Sequence, residues 1–340
     1  MTLRTEILTL HLRTPFRIAH GVSESRQSVI VHLPDGALGE AALAPYYGIT
    51  PEHVLAYLAN PQVEAALGGD PMLREDILDA LPPGPMPARA ALDIALHDLA
   101  GKRLGVPLYR LWGLNPARAP LSSFTIGQER DARALRQKLR EAAHYPVIKL
   151  KLGSGSATTD EATVRIAREE LPGAQLCVDA NAGWSVDEAV AIIPRIAEYG
   201  LLFVEQPLAR DDLEGWRALR PRLPQDAPFL IADESVHTTR DIPPLVGSAD
   251  GINIKLAKSG GLREAWRMIQ VARAFDMRVM IGCMVESAVG VTAAAHLAPL
   301  VDYADLDGNL LVTDDPFTGV VMHNGLLTLP DAPGLGVTRA

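Results

Sequence analysis

The chain has 340 residues, 48% of them apolar, and a formal net charge of -9, enough for one large domain with a smaller companion. Its acidity and the absence of basic blocks exclude partners held through phosphates or an anionic surface, so neither nucleic acid nor membrane is expected. Its two cysteines, Cys177 and Cys283, lie far apart without ligand spacing, which excludes a disulfide framework or a cysteine zinc site and fits cytoplasmic residence.

The opening residues MTLRTEILTLHLRTPF alternate like a strand and lack the apolar run and cleavage site of a secretory signal. No stretch of the sequence is apolar for long enough to span a bilayer. Two alternating runs, EILTLHL and SVIVHL, precede helical segments after Pro51 and Pro87, which predicts an α+β domain over residues 1–114. Within it, ARAALDIALHDLAGKRLG sets Asp93, His97 and Asp98 at helical spacing, which predicts a solvated or domain-interface face and no metal site.

From Pro120 the texture changes. Short β-rich runs, LSSFTIG, VIKLKL, LCVDAN, LFVEQP, FLIADE, GINIKL, VMIGCM and YADLDG, alternate with amphipathic stretches. Lys151, Asp179, Glu205, Asp233, Lys255 and Asp305 close these runs, typically roughly 22 to 28 residues apart, close to one βα unit of a barrel. Thr158 with Glu161 and Ser185 with Glu188 have capping-box spacing for the intervening helices. Gly260 and Gly261 predict a tight turn into the next helix. Sequential parallel crossovers make a closed α/β barrel over residues 115–312 the simplest architecture. From about Thr313, Pro, Gly and the run GLLTL predict a segment, about 313–340, that folds back to complete the first domain.

Charged groups at the C-terminal ends of barrel strands converge on one mouth. Asp179, Glu205 and Asp233 end three consecutive strands, and three hard oxygen ligands suit Mg²⁺ better than zinc. Without a cation, protons or lysines would have to neutralise them. Lys149 and Lys151 share one face of a strand, and Lys255 ends a strand on the opposite side of the acids. A carbon acid beside a carboxylate needs its enediolate stabilised by positive charge and a lysine whose pKa is lowered by cationic neighbours. Two lysines flanking one carbon would permit removal of a proton from one face and return to the other.

An isolated Asp or Lys at a strand end is usually a helix cap or a surface ion pair. The periodic set of acids with lysines on either side is not accounted for in that way. Cys283 and Met284 follow an apolar strand and are read as cavity wall beside a substrate, not as nucleophile or redox group. His20 sits in a loop, where solvation, a structural role and ligand contact all remain open.

The stretches IKLKLG, VDANAGW, VEQPL, ADES, INIKLAKSGG and GCMVES, with GEAA and ALDIALHDLAGKRLGVPLYRLWG earlier, are those by which the chain resembles the enolase superfamily, muconate-lactonizing subgroup. The resemblance covers nearly the whole chain. It implies an α+β capping domain over a (β/α)7β barrel, Mg²⁺ on Asp179, Glu205 and Asp233, and Lys151 and Lys255 as opposed acid/base residues assisted by Lys149. The subgroup includes cycloisomerases, o-succinylbenzoate synthases, N-acylamino acid racemases and dipeptide epimerases. The last strand, YADLDGNLL, is similar to the Asp-x-Asp of the dipeptide epimerases, implying that Asp305 and Asp307 hold a free α-ammonium. A dianionic cycloisomerase substrate would be repelled there. Thr125 looks like a further substrate-side residue.

Epimerases for L-Ala-D/L-Glu typically place an arginine in the first-domain loop, where PFRIAHGVSESR here has His20 and Gly21, with Arg17 and Arg26 nearby but shifted in register. That difference implies that glutamate is not the preferred second residue, or that specificity is broad. A Schiff-base barrel enzyme using Lys151 or Lys255 and a non-catalytic metal-binding barrel are the rival readings from other classes. Homo-oligomer formation is left open.

Overall fold

The computed structural model describes residues 1–18, 21–129 and 131–340. Strands β1 (Arg4–Ile18), β2 (Gly21–Leu33) and β3 (Ala37–Ala42) form an antiparallel sheet in which Arg4 faces His32 and Ser28 faces Ala42. Leu8 and Leu10 point inward and Thr9 and His11 outward, the alternation visible in the sequence. Further along, both faces are covered: Ile30 and Leu38 join the barrel core, while Val29, Val31 and Ala41 pack under a helical layer. All six residues of β3 are consequently buried, which hides that strand from any period-2 reading.

The helical layer contains α1 (Pro51–Leu58), α2 (Pro61–Ala66), α3 (Arg74–Ala80), α4 (Met86–Leu104) and α5 (Leu108–Leu111). Gly39 lets β3 lie against α4, because a Cβ there would sit within 3 Å of the Ala91 carbonyl. Of the two faces expected for Asp93, His97 and Asp98 on α4, the structure shows the interface one: all three are buried between the layers. Asp93 accepts the amides of Leu262 (2.5 Å) and Arg263, and Asp98 accepts those of Leu38 (2.8 Å) and Leu335 (2.7 Å). One helix therefore ties the first sheet, a barrel helix and the C-terminal segment together.

The barrel runs β4 (Phe124–Ile126), α6 (Ala132–Glu141), β5 (Val147–Lys151), α7 (Ala157–Glu170), β6 (Gln175–Asp179), α8 (Val186–Ala197), β7 (Leu201–Glu205), α9 (Leu213–Leu219) and β8 (Phe229–Ala232). It continues with β9 (Gly251–Lys255), α10 (Leu256–Ser259), α11 (Leu262–Ala274), β10 (Arg278–Gly282), α12 (Ala288–Ala295) and β11 (Tyr303–Asp305). The strands form one parallel sheet in sequence order, β4 to β11. A bridge between Ser122 and Ala304, with Ser123 N donating to Ala304 O at 2.9 Å, joins its edges. Between β8 and β9 the chain crosses in two 3-10 turns, Thr239–Asp241 and Pro243–Leu245, because the Pro243-Pro244 pair cannot supply helix-interior amides.

Ser185 caps α8 in the expected box, its amide reaching Glu188 Oε2 at 2.8 Å while Glu188 N returns to Ser185 Oγ. For α7 the expectation from Thr158 is corrected. Ser156 is the cap, accepting from Thr159 N, and Thr158 lies inside the first turn. Asp160 causes the early start by gathering the amides of Gly153 and Ser154 and the Trp184 indole, which pins the loop leaving β5. Gly260 (φ 86°) and Gly261 (φ 118°) make the turn from α10 into α11.

After β11, strands β12 (Phe317–Thr318), β13 (Val321–His323), β14 (Leu326–Thr328) and β15 (Thr338–Arg339) pair as β12 with β15 and β13 with β14. This segment touches the first sheet, with Thr313 N bonded to His11 O at 2.9 Å and Arg339 paired with Glu6. No described helix is long and apolar enough to cross a membrane.

Candidate active site

The parallel register aligns the strand ends in one layer. Lys151 lies opposite Asp179, Asp179 opposite Glu205, and Gly282 between Lys255 and Asp305. Below this layer Val147, Cys177, Phe203, Ile231 and Met280 form an apolar plug, so Cys177 is core. Above it open the loops and the capping sheet. The sequence places charge in this layer because each strand changes from apolar to ionic at its C-terminal end.

Asp179, Glu205 and Asp233 are fully buried, and one oxygen of each lies within 4.8 Å of the other two. Lysines surround them. Lys151 Nζ donates to Asp179 Oδ2 at 2.6 Å, and Lys255 Nζ to Asp233 Oδ2 at 2.6 Å. Lys149, completely buried, lies 2.7 Å from both Asp305 Oδ2 and Glu205 Oε2 and 3.5 Å from Asp179 Oδ2. Lys258 donates to Asp233 Oδ1 and, at 2.6 Å, to the Asp233 carbonyl.

Burial raises the Asp179 carboxyl, but Lys151 and Lys149 outweigh it and leave it below the ordinary range. Asp233 is likewise held far down against its burial by Lys255 and Lys258. Glu205 goes the other way: burial, reinforced by Asp179, pushes it up to about 8. Burial lowers Lys255 and Lys149, yet their acid partners, led by Asp233 and Asp305 respectively, hold both well above the usual lysine value. A lysine depressed by cationic neighbours, as expected from the sequence, is thus not what the side chains alone produce at Lys255 or Lys149. The acids dominate both of these amines.

The donor set fits a hard divalent cation. Glu205 Oε2 lies close to Lys149 but off the line a hydrogen bond requires. Like Asn181 Oδ1, Glu234 Oε2 and Asn253 Oδ1, it is a buried oxygen with no hydrogen-bond donor among the described residues. An excess of unsatisfied oxygens around three carboxylates is the chemistry of a Mg²⁺ site.

Across the layer, Asp305 Oδ1 accepts from Ser123 Oγ at 2.5 Å and from Thr125 Oγ1 at 3.3 Å, and Asp307 Oδ2 accepts from Thr125 N at 2.6 Å. Burial, with Asp305 next to it, pushes Asp307 up to about 7. Lys151, Lys255, Thr125, Asp305, Asp307, Cys283 and Met284 line one cleft under the capping sheet. The Cys283 thiol donates to the Asp305 carbonyl at 3.3 Å, and burial pushes its pKa well up, away from thiolate chemistry. Arg26 from β2, only 7% exposed, also reaches this wall and donates to Ser25 O. His20 lies outside the described residues.

The sequence reading missed Lys258, Asn253, Asn181, Glu234 and Ser123, and noted Arg26 only as an arginine out of register with the expected one. The same-face rule that paired Lys149 with Lys151 would have found Asn253, two residues before Lys255, whose Nδ2 donates to Glu205 Oε1 at 2.8 Å. Lys258 was hidden in a turn-like AKSGG, and Arg26 could not be placed because the partner face of its strand was unknown.

Residues 3–113 match the family described as mandelate racemase / muconate lactonizing enzyme, N-terminal domain, and residues 131–339 match the enolase C-terminal domain-like family. The chain is 42% identical over 308 residues to the L-Ala-D/L-Glu epimerase of Bacteroides thetaiotaomicron, covering 88% of this chain and 77% of that one. It is 38% identical over 343 residues to the hydrophobic dipeptide epimerase of Roseobacter litoralis, covering 98% of each. Among solved structures, the substrate-liganded L-Ala-D/L-Glu epimerase of Bacillus subtilis superposes with a TM-score of 0.92 at 29% identity, covering 100% of this chain and 99% of that one. The dipeptide epimerase of Enterococcus faecalis, complexed with Mg and L-Leu-L-Tyr, gives 0.89 at 31% identity over 99% of each.

Proposed function

The chain belongs to the mandelate racemase / muconate lactonizing enzyme family, and from that premise we propose that it is a Mg²⁺-dependent dipeptide epimerase, inverting the α-carbon of the C-terminal residue. One observation carries the assignment: Lys151 and Lys255 line the same cleft from opposite strands, each bonded to a different acid of one cluster, with Asp305 and Asp307 lining it too.

In the proposed reaction Asp305 and Asp307 fix the substrate's free ammonium by charge-assisted hydrogen bonds. That anchoring sets the α-carbon between the two lysine amines. One lysine takes the α-proton and the other delivers a proton to the opposite face, so the enediolate collapses to the epimer. A divalent cation on Asp179, Glu205 and Asp233 would supply the positive charge that makes the substrate's α-proton acidic. Lys149 balances Glu205 and Asp305 at the floor, and the capping sheet keeps bulk water from the carbanion.

Further proposals accompany this one. Residues 1–114, completed by about 313–340, form the capping domain, and 115–312 the catalytic barrel; support comes from an apolar cluster confined to residues 29–99. The unpaired Cys177 and Cys283 support cytoplasmic residence. Glutamate is not the preferred second residue, or specificity for that residue is broad, because His20 and Gly21 stand where an arginine is expected.

The test is a panel of L-Ala-L-Xaa dipeptides incubated with Mg²⁺ in D₂O. Solvent deuterium is expected at the second α-carbon with both epimers accumulating. Exchange confined to L-Ala-L-Glu would refute breadth, and turnover of N-acylated amino acids without that of free-amine dipeptides would assign the chain to the racemases.

A further inference from the structure

Two stretches that lie far apart in the sequence, GEAA in β3 and GCMVES after β10, meet where the capping domain rests on the barrel. Glu40, only 2% exposed, accepts three hydrogen bonds there: from Ser287 N at 3.0 Å, Ser287 Oγ at 2.6 Å and Gly290 N at 3.0 Å. Asp315, from the C-terminal segment, takes Ala288 N at 2.7 Å, and Val289 N returns to Ser287 Oγ. The amides that the first turn of α12 offers to an anion are therefore already taken.

Glu286 stands beside this arrangement and receives none of these amides. It is 5% exposed. A Cβ on Gly290 would meet the Glu286 carboxyl at 2.8 Å and Glu40 Oε2 at 3.2 Å, so the two acids crowd the space that the glycine leaves open. Like charges this close in a buried site do not both ionise, and the acid with three donors keeps the charge. Burial, reinforced by Glu40, accordingly pushes the Glu286 carboxyl well up against the pull of Lys255.

That nearby cation links the pair to the reaction. The register sets Lys255 opposite Gly282, so the loop leaving β10 starts beside Lys255, and its residues Met284 and Val285 line the cleft together with that lysine. Lys255 is already bonded to Asp233 at 2.6 Å. An ionised Glu286 would offer it a second acid partner and draw the amine away from the reacting carbon, whereas a neutral acid exerts no such pull. The groups facing Glu286 are Glu40 from β3 and Lys255 from β9, with the neutral Cys283 thiol in its own loop.

We propose that Glu40 and Glu286 act together as positioning residues: Glu40, the carboxylate supplied by the capping domain, obliges Glu286 to keep its proton, and Glu286 as a neutral acid leaves the Lys255 amine to the cleft. The capping domain thereby sets the charge beside one of the two bases and not the other. The inference rests on the two-lysine reading above. Its test follows α-proton exchange in D₂O with Mg²⁺, from neutral to alkaline pH, on the best dipeptide of the panel and separately on its epimer. The quantity read is the exchange rate of the epimer served by Lys255, identified as the one that Lys255→Ala no longer exchanges, divided by that of the other epimer. In Glu40→Gln this ratio is expected to fall at least about ten-fold, within what one general base contributes, and in Glu40→Gln combined with Glu286→Gln to return to the wild-type value. Both variants lose the same Glu40 contacts and the ratio is internal to each preparation, so a merely structural role would leave it unmoved. Equal ratios in the single and double variants would overturn the pair and leave the enzyme assignment standing. Without any Glu40 variant, the infrared spectrum of the wild type minus that of Glu286→Gln should show the carbonyl band of a protonated acid near neutrality; carboxylate bands in its place would also overturn the pair. A wild type that exchanges neither epimer would overturn the two-lysine assignment and the pair with it.

Discussion

Lys149 donates to Asp305 Oδ2 at 2.7 Å in the floor of the barrel, so the first acid of the Asp-x-Asp pair is already balanced by a cation. Among the described residues Asp307 has no such partner and accepts only backbone and hydroxyl donors, and its carboxyl rises to about 7. An arriving ammonium therefore gains most from Asp307. Asp307→Asn retains an acceptor for Thr125 N but removes the charge. It is expected to lower kcat/KM for free-amine dipeptides by one to two orders of magnitude, about 1.5–3 kcal/mol for a hydrogen bond to a charged group. Steady-state kinetics with an N-acetylated dipeptide as control should show a much smaller loss.

Lys151→Ala and Lys255→Ala should each reduce epimerisation by at least about 10³-fold, within the range of general acid–base catalysis. Each variant should still exchange the α-proton of one epimer, and the two should prefer opposite epimers. Deuterium uptake by NMR on separate L,L and L,D substrates reads this directly, and undiminished epimerisation in both variants would end the two-base scheme.

Cation binding can be tested without catalysis. Because a ligand that binds only the folded state stabilises it by about 2.7 kcal/mol at a hundred times its Kd, Mg²⁺ should raise the melting temperature by several degrees. EDTA should reverse the rise and abolish turnover. Glu205→Gln should remove the Mg²⁺ response, and a shift of equal size in that variant would place the ion elsewhere.

His296 gives a pH-dependent term remote from the acid cluster. It accepts from Tyr109 N at 3.2 Å through Nδ1 and lies 3.1 Å from the Leu335 carbonyl through Nε2, which must then carry the proton. Burial lowers its pKa from 6.5 to about 4. A base with a depressed folded pKa takes up its proton more readily when unfolded. Stability is accordingly lost as pH falls from about 6.5 and levels off near 4, amounting to about 3 kcal/mol. His237, also lowered to about 4, adds to the same window. Urea unfolding between pH 7 and 4.5 should show a flatter profile for His296→Gln than for the wild type.

What the sequence discloses depends on which side of an element carries information. The barrel was legible because Lys151, Asp179, Glu205 and Lys255 each end a short apolar run, and a closed parallel sheet turns that one-dimensional period into a ring. The metal cluster followed from the same period. β3 was not legible, because a strand buried on both faces has no alternation to detect. Asp93 and Asp98 stayed undecided between a solvated and an interface face, since nothing local reveals that their partners are the amides of Leu262 and Leu335. Arg26 was visible but unplaceable, because its role depends on how the capping sheet sits over the barrel.

The bridge joining β4 to β11 rests on Ser122 and Ala304, with the Ser122 hydroxyl accepting from Leu306 N at 2.8 Å, where the other strand neighbours share longer ladders. Ser123, Thr125, Asp305 and Asp307 all belong to the two short strands on either side of this seam or to their ends. A small slide of those strands would reshape the Asp305 and Asp307 side of the cleft, and it would reach β5 through the Thr125–Lys149 pairing and the Lys149–Asp305 bond. Lys149, touching both Asp305 at the seam and Glu205 in the acid cluster, is thus the joint through which movement at the barrel's weakest closure is felt by the three acids.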